Sequence, residues 1–306
     1  MNSLLQRIAN TLVLYSYHIN DNGLFMGKTG IIYYLYHYSY YAGNEYYSDF
    51  AGDLLDKVLK ASNGLSNDFE HGLTGIGWVV NRLLRENLVD GEPNRVLQNV
   101  DKKVFSRITC IPERSLLGHA VYLLDRLKDN PDGSYLLEQI DNILKTCENG
   151  LQKYDGKISL YHINSVLYFL ITIDKQRKYC DRVENIRKLL PNVLERIVDQ
   201  RLYGVTDILI FNQLMENLET VCLPNWNYIR LYQFPKMVDY TDPVERYIYT
   251  ARMQEIYFGI ASINAPSDQQ INDFIDRKQE NITLDGFLYQ KGLSGLGCAI
   301  LKSNLK

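Results

Sequence analysis

The chain has 306 residues, 46% of them hydrophobic, and carries 33 Lys+Arg against 36 Asp+Glu, a formal net charge of -3. A chain of this length can bury a sizeable core, and its near-neutral balance lacks the basic excess that nucleic-acid phosphates or an anionic membrane surface would require. The five cysteines, Cys110, Cys147, Cys180, Cys222 and Cys298, are widely spaced and form no C-x-x-C pair, which fits free thiols in a reducing compartment better than a disulfide framework.

The first segment, MNSLLQRIANTLVLYSYHIN, reads as an amphipathic helix whose apolar rhythm is broken by Gln6, Arg7 and Asn10, unlike a signal peptide or a membrane span. It leads into GLFMGKTGIIYYLYHYS from Gly23, where Gly27 and Gly30 precede an apolar run. After the amphipathic NEYYSDFAGDLLDKVLKA, the pattern returns as FEHGLTGIGWVVNRLL from Phe69, with Gly72 and Gly75. EPNRVLQNVDKKVF then precedes a weaker copy around Gly118, and GSYLLEQIDNILKTCE precedes another around Ile163. RVENIRKLLPNVLERIVD, read as one amphipathic helix, leads to RLYGVTDILIFNQL around Gly204. The stretch Glu219 to Pro243, with three prolines and Trp226, breaks the rhythm and reads as a long ordered loop of the kind that forms lids, binding loops or packing loops. EIYFGIASI around Gly259, the amphipathic SDQQINDFIDRK and YQKGLSGLGCAILKS, with Gly292 and Gly295, complete the series. The repeat anchors are thus 27, 72, 118, 163, 204, 259 and 292.

Segments that are apolar almost all round alternate with segments that have one wet face, spaced at i, i+3, i+4 and i+7. This alternation predicts an all-α, two-layer barrel with the apolar helices inside, a single cytoplasmic domain over residues 1–306. Glycine at each inner-helix start would let the backbone turn sharply at the rim, leaving first-turn N–H groups aimed at a central cavity. Tyrosine, at 24 residues, is the compositional oddity and clusters from Tyr33 to Tyr47. Its large apolar face and polar tip suit interlayer packing or the lining of a ligand cavity.

The glycine-led repeats at Gly23 to Asp56, Phe69 to Asp101 and Gly292 to Gly297 resemble those of the lanthionine synthetase C-like family. The resemblance spans nearly the whole chain and implies an α/α toroid of about seven inner and seven outer helices, related to six-hairpin toroids. In active members two Cys and one His hold a zinc ion that activates a peptide thiolate for addition to a dehydrated residue. Aligned on the family's motifs, Leu202 stands where the first Cys ligand is expected, and Tyr257 and Phe258 stand where Cys and His are expected. All five histidines, His18, His37, His71, His119 and His162, lie within the first 162 residues, and none has a Cys at ligand spacing. The resemblance therefore implies a member without zinc or other cofactor, a non-cyclase that binds a peptide or a peptide-modifying enzyme.

The alternative is a metal-independent enzyme acting on a peptide or carbohydrate in the cavity. It rests on His162, where the family carries a candidate acid/base, and on Asp207 just after the fifth glycine turn. For each, a plain structural role is weighed against the catalytic one: a hydrogen-bonding residue of the inner ring for His162, and an acid favoured by the helix dipole for Asp207. His71, Tyr203, Gly204 and Gly259 are the further rim candidates. No nucleic-acid or membrane partner is expected, and no nucleophile elbow, P-loop or dinucleotide fingerprint is present.

Overall fold

A computed structural model describes residues 2–106, 116–153, 156, 158–174, 177–219, 229, 232–235, 241–260 and 263–304. The described residues contain helices and no strand, and no helix among them is long and apolar enough to cross a membrane. They fall into two compact units, the first formed by Met1–Val104 with Thr241–Lys306 and the second by Phe105–Tyr240.

The first unit contains α1 (Asn2–Tyr15), α2 (Lys28–Ala42), α3 (Tyr46–Lys60), α4 (Leu73–Arg85), the single turn α5 (Pro93–Val96) and α6 (Gln98–Phe105), whose last residue reaches the unit boundary. Near the C-terminus it adds three more helices, numbered after the six of the second unit: α13 (Pro243–Phe258), α14 (Asp268–Glu280) and α15 (Leu293–Asn304). Helices α4, α2 and α15 lie side by side, and α1 and α3 pack behind them. α2 and α4 run in the same direction, because their contacts advance together: Phe25 N–H to Glu70 O at 2.9 Å, Tyr33 against Trp78 at 5.7 Å, and His37 against Glu86 at 2.6 Å. α15 joins the other side of α2, with the Gln290 N–H on Phe25 O at 3.1 Å and Gly297 under the ring of Tyr34. The first and last glycine-led helices are thus direct neighbours.

The glycine pairs exist for close approach. Before α4 the chain from Ser66 folds back onto the helix start: Leu73 N–H bonds Ser66 O at 2.9 Å and Thr74 Oγ1 bonds Asn67 O at 3.0 Å. A Cβ on Gly75 would overlap Phe69 O, and one on Gly72 would overlap Ser66 O. α2 repeats the arrangement, with Lys28 N–H on Asp21 O at 3.0 Å and Thr29 Oγ1 on Asn22 O at 2.5 Å. The expectation that first-turn N–H groups face a cavity fails for Lys28 and Leu73, since each helix start is capped by its own loop. The tyrosines of α2 serve packing: Tyr33, Tyr34, Tyr36 and Tyr38 are buried, whereas Tyr40 is exposed.

The second unit contains α7 (Leu116–Asp129), α8 (Ser134–Gln152), α9 (Leu160–Asp174), α10 (Cys180–Arg187), α11 (Leu190–Asp199) and α12 (Val205–Glu219). α9 packs between α7 and α12, and α8 and α10 cover them. The segment read as one amphipathic helix, RVENIRKLLPNVLERIVD, is two, because Pro191 lacks an N–H and starts α11. Cys147 and Cys298 are buried free thiols and Cys180 is half-buried, while Cys110 and Cys222 lie outside the described residues. Most of the Glu219–Pro243 segment also lies outside them.

One repeat was placed wrongly. Gly259 does not open an inner helix; it ends α13, as a C-cap with φ 71° whose N–H bonds Glu255 O at 3.0 Å. A left-handed residue with no Cβ penalty suits that position. α13 begins instead at Asp242, whose side chain caps Val244 and Glu245, with Pro243 in the first turn.

Candidate functional site

The residues singled out from sequence fall into three separate settings. In the second unit, His162 lies in the first turn of α9, and its Nδ1 accepts from the Ser159 backbone N–H at 3.2 Å, with Ser159 Oγ at 2.8 Å. The ring proton therefore sits on Nε2. Asp207 does the same for α12: its Oδ2 accepts from the Gly204 N–H at 3.0 Å, and its backbone O accepts from Asn164 Nδ2 at 2.9 Å. Both are third residues of a helix reaching back to the residue before its start, which is one half of a capping box. Leu202 contributes a backbone carbonyl, accepting from Leu160 N–H at 2.9 Å, and so ties the approach to α12 onto the start of α9. Tyr203 packs on Phe234 at 5.3 Å, within an aromatic cluster that includes Phe211 and Tyr232. Gly204 makes no close approach, since a Cβ there would meet nothing nearer than Asp207 Oδ2 at 3.4 Å.

In the first unit, His71 bridges two loops. Its Nδ1 lies 2.7 Å from Asp21 Oδ2 and its backbone N–H bonds Asp68 Oδ1 at 2.6 Å. Partial burial works to lower its pKa, but the hydrogen bond and charge of Asp21, aided by Asp68 and Glu70, prevail and hold it above the ordinary value. Tyr257 and Phe258 occupy the last turn of α13, Tyr257 buried and Phe258 half-buried, so neither sits at a helix start as the zinc-ligand register required. Among the described residues no three His, Cys, Asp or Glu side chains come together in a way that could hold a metal ion.

The most unusual chemistry of the first unit lies elsewhere, around Glu255 of α13. Its side chain is buried, at 3% exposure. Oε1 accepts from Tyr33 Oη and faces Lys302 Nζ at 3.3 Å and Arg82 Nη1 at 3.7 Å; Oε2 lies 3.4 Å from Tyr289 Oη. Arg82 also donates to the Glu255 backbone O at 3.1 Å and lies over the Trp78 ring at 4.4 Å. Lys302 continues to Glu86 Oε1 at 3.4 Å, and the other Glu86 oxygen lies 2.6 Å from His37 Nε2, while His37 Nδ1 faces Tyr33 O at 2.7 Å. Both ring nitrogens of His37 thus face oxygen atoms.

The electrostatics follow from this geometry. Burial works to raise the Glu255 carboxyl, but Lys302, Arg82 and the Tyr33 hydrogen bond outweigh it and hold the pKa below the usual carboxylate range. Burial opposes ionisation of Glu86 too, yet His37 and the two cations bring it down to about 2. Tyr33 and Tyr289 are pushed well up by burial and by the Glu255 charge, so both remain neutral donors. Lys302 is held above its ordinary value, the carboxylates of Glu255 and Glu86 overcoming burial.

The cluster has one signal in the sequence. Ten residues beyond Gly27, Gly72 and Gly292 stand His37, Arg82 and Lys302, three basic side chains at one repeat position inside otherwise apolar runs. It emerges only when the glycine-aligned repeats are compared residue by residue along the helix.

Compared with known proteins, the chain matches no family model, no curated protein and no solved structure.

Proposed function

We propose that this chain is a lanthionine synthetase C-like α/α toroid that has given up zinc-dependent cyclisation and works as a binding member of a ribosomal-peptide modification pathway, engaging a peptide or its modifying enzyme. The observation that carries the toroid is the adjacency of α2 and α15, the first and last glycine-led helices, with Phe25 O bonded to the Gln290 N–H. A ring of repeats brings its two ends together in this way, whereas an open array keeps them apart. The succession α7, α9, α12 in the second unit fits the same alternation of inner and outer helices.

The non-cyclase reading rests on what the expected ligand positions do. Leu202 offers a carbonyl to α9, and Tyr257 and Phe258 close the end of a helix. A thiolate-activating Lewis acid needs sulfur or imidazole donors at such positions. The alternative of a metal-free enzyme asks His162 and Asp207 to act on a substrate, but both are engaged as helix caps. A peptide-binding scaffold requires neither group.

The test is to mix the purified protein with the dehydrated precursor peptide encoded beside its gene, labelled for anisotropy, in buffer supplemented with zinc. Saturable binding is expected, with every peptide cysteine still alkylated by iodoacetamide and no stoichiometric zinc retained after gel filtration. Retained zinc together with protected cysteines would overturn the reading.

A further inference from the structure

We infer that α2, α4 and α15 together build a receptor for a single carboxylate, and that Glu255 of α13 occupies it as an internal ligand. Four side chains that face that carboxylate come from outside α13: Tyr33 from α2, Arg82 from α4, Lys302 from α15, and Tyr289 from the turn before α15. Arg82 and Lys302 share one repeat position, and His37, at the same position in the first repeat, is linked to Lys302 through Glu86. The side chains that hold the carboxylate therefore belong to the repeat frame, and α13 supplies the anion together with the Glu255 backbone carbonyl that accepts from Arg82.

Burial points the same way. Arg82 is buried at 5% exposure, and its Nη1 lies 3.7 Å from Glu255 Oε1. Removing one partner of a buried ion pair is strongly unfavourable, so the carboxylate and the cations around it depend on one another. Two neutral hydroxyls and a guanidinium around one site suit a planar, two-oxygen acceptor. Lys302 and Glu86, whose side chains keep 16% and 33% exposure, form the edge of the cluster that solvent reaches.

The experiment replaces the internal ligand by a free one. Glu255→Ala is prepared from the full chain, and its thermal midpoint is followed in sodium acetate and in sodium chloride at matched ionic strength, beside the native protein and Glu255→Gln. The expected result is a saturable, acetate-specific rise of about 2–4 °C in Glu255→Ala at ~0.3 M. Neither the native protein nor Glu255→Gln, whose sites remain filled, should show it. No acetate-specific rise, or an equal rise in all three, overturns the inference. If Glu255→Ala does not fold in chloride, it is refolded in acetate with the native protein as control; recovery of the helical circular dichroism signal supports a carboxylate receptor, and failure to recover it counts against one.

Discussion

The two units solve the same local problem in opposite ways. At the third residue after the helix-opening position, the first unit places Gly30, Gly75 and Gly295, and the preceding loop closes so tightly that a Cβ at any of them would overlap a carbonyl three residues before the opening. At the equivalent position of α9 and α12 the second unit places His162 and Asp207, whose side chains reach back to the opening residue's N–H. One solution removes a side chain so that backbone can pack on backbone; the other adds a side chain to make the missing bond. The contrast continues ten residues after the opening, where the first unit carries His37, Arg82 and Lys302 and α9 and α12 carry the buried Phe169 and Leu214. Helices that open alike can thus place a polar network in one part of a chain and a dry core in another. A residue at a catalytic-looking position can also be there to start a helix properly.

Substitutions can break this comparison at several strengths. The largest effect is expected for Arg82→Met, which leaves Glu255 buried with less counter-charge and should destabilise the protein by about 3–5 kcal/mol in urea unfolding. Acid should act on the same network. Glu86 and Glu255 have folded pKa values below their unfolded ones, Glu86 at about 2, so their contribution is complete above roughly pH 4.3 and lost as pH falls towards 2. Native protein followed by circular dichroism should lose stability through that window, and Arg82→Met should show a shallower loss.

Next comes the glycine contrast. Gly75→Ala forces a Cβ into Phe69 O and the Leu24 side chain and should cost about 1–3 kcal/mol, whereas Gly204→Ala has room and should cost less than about 1 kcal/mol. Removing the second unit's caps, as Asp207→Ala or His162→Ala, should cost about 0.5–1 kcal/mol each, with peptide binding by the anisotropy assay retained. The smallest effect belongs to the exposed His71–Asp21 pair, worth at most about 1 kcal/mol. Because the folded pKa of His71 is raised, its contribution is complete below roughly pH 6.5 and fades as pH rises through the folded value. His71→Ala should therefore lower the thermal midpoint at pH 5.5 and leave it nearly unchanged at pH 9.

The helices and the glycine-led starts were legible because 3.6-residue periodicity and paired glycines are local signals. The sixth repeat was misread because glycine serves both ends of a helix, and Gly259 was matched to an opening motif. Its surroundings argue for a C-cap: the apolar helical run precedes it, and Pro266 and the Ser267 capping box follow. The true opening, Asp242-Pro243, was also in the sequence but had been absorbed into the presumed loop. Glu255 could not be recognised as a site residue from its own neighbourhood, since its partners lie 34 to 222 residues away. Only its positive side left a trace, in the shared position of His37, Arg82 and Lys302.

The most direct test is a double-mutant cycle between Arg82→Met and Glu255→Gln, measured by urea unfolding of the two single variants, the double variant and the native chain. If the repeat frame of the first unit is held together through this carboxylate, the two changes should be coupled by about 1.5–3 kcal/mol, the double variant being less destabilised than the sum of the singles. Additivity within about 0.5 kcal/mol would contradict the account.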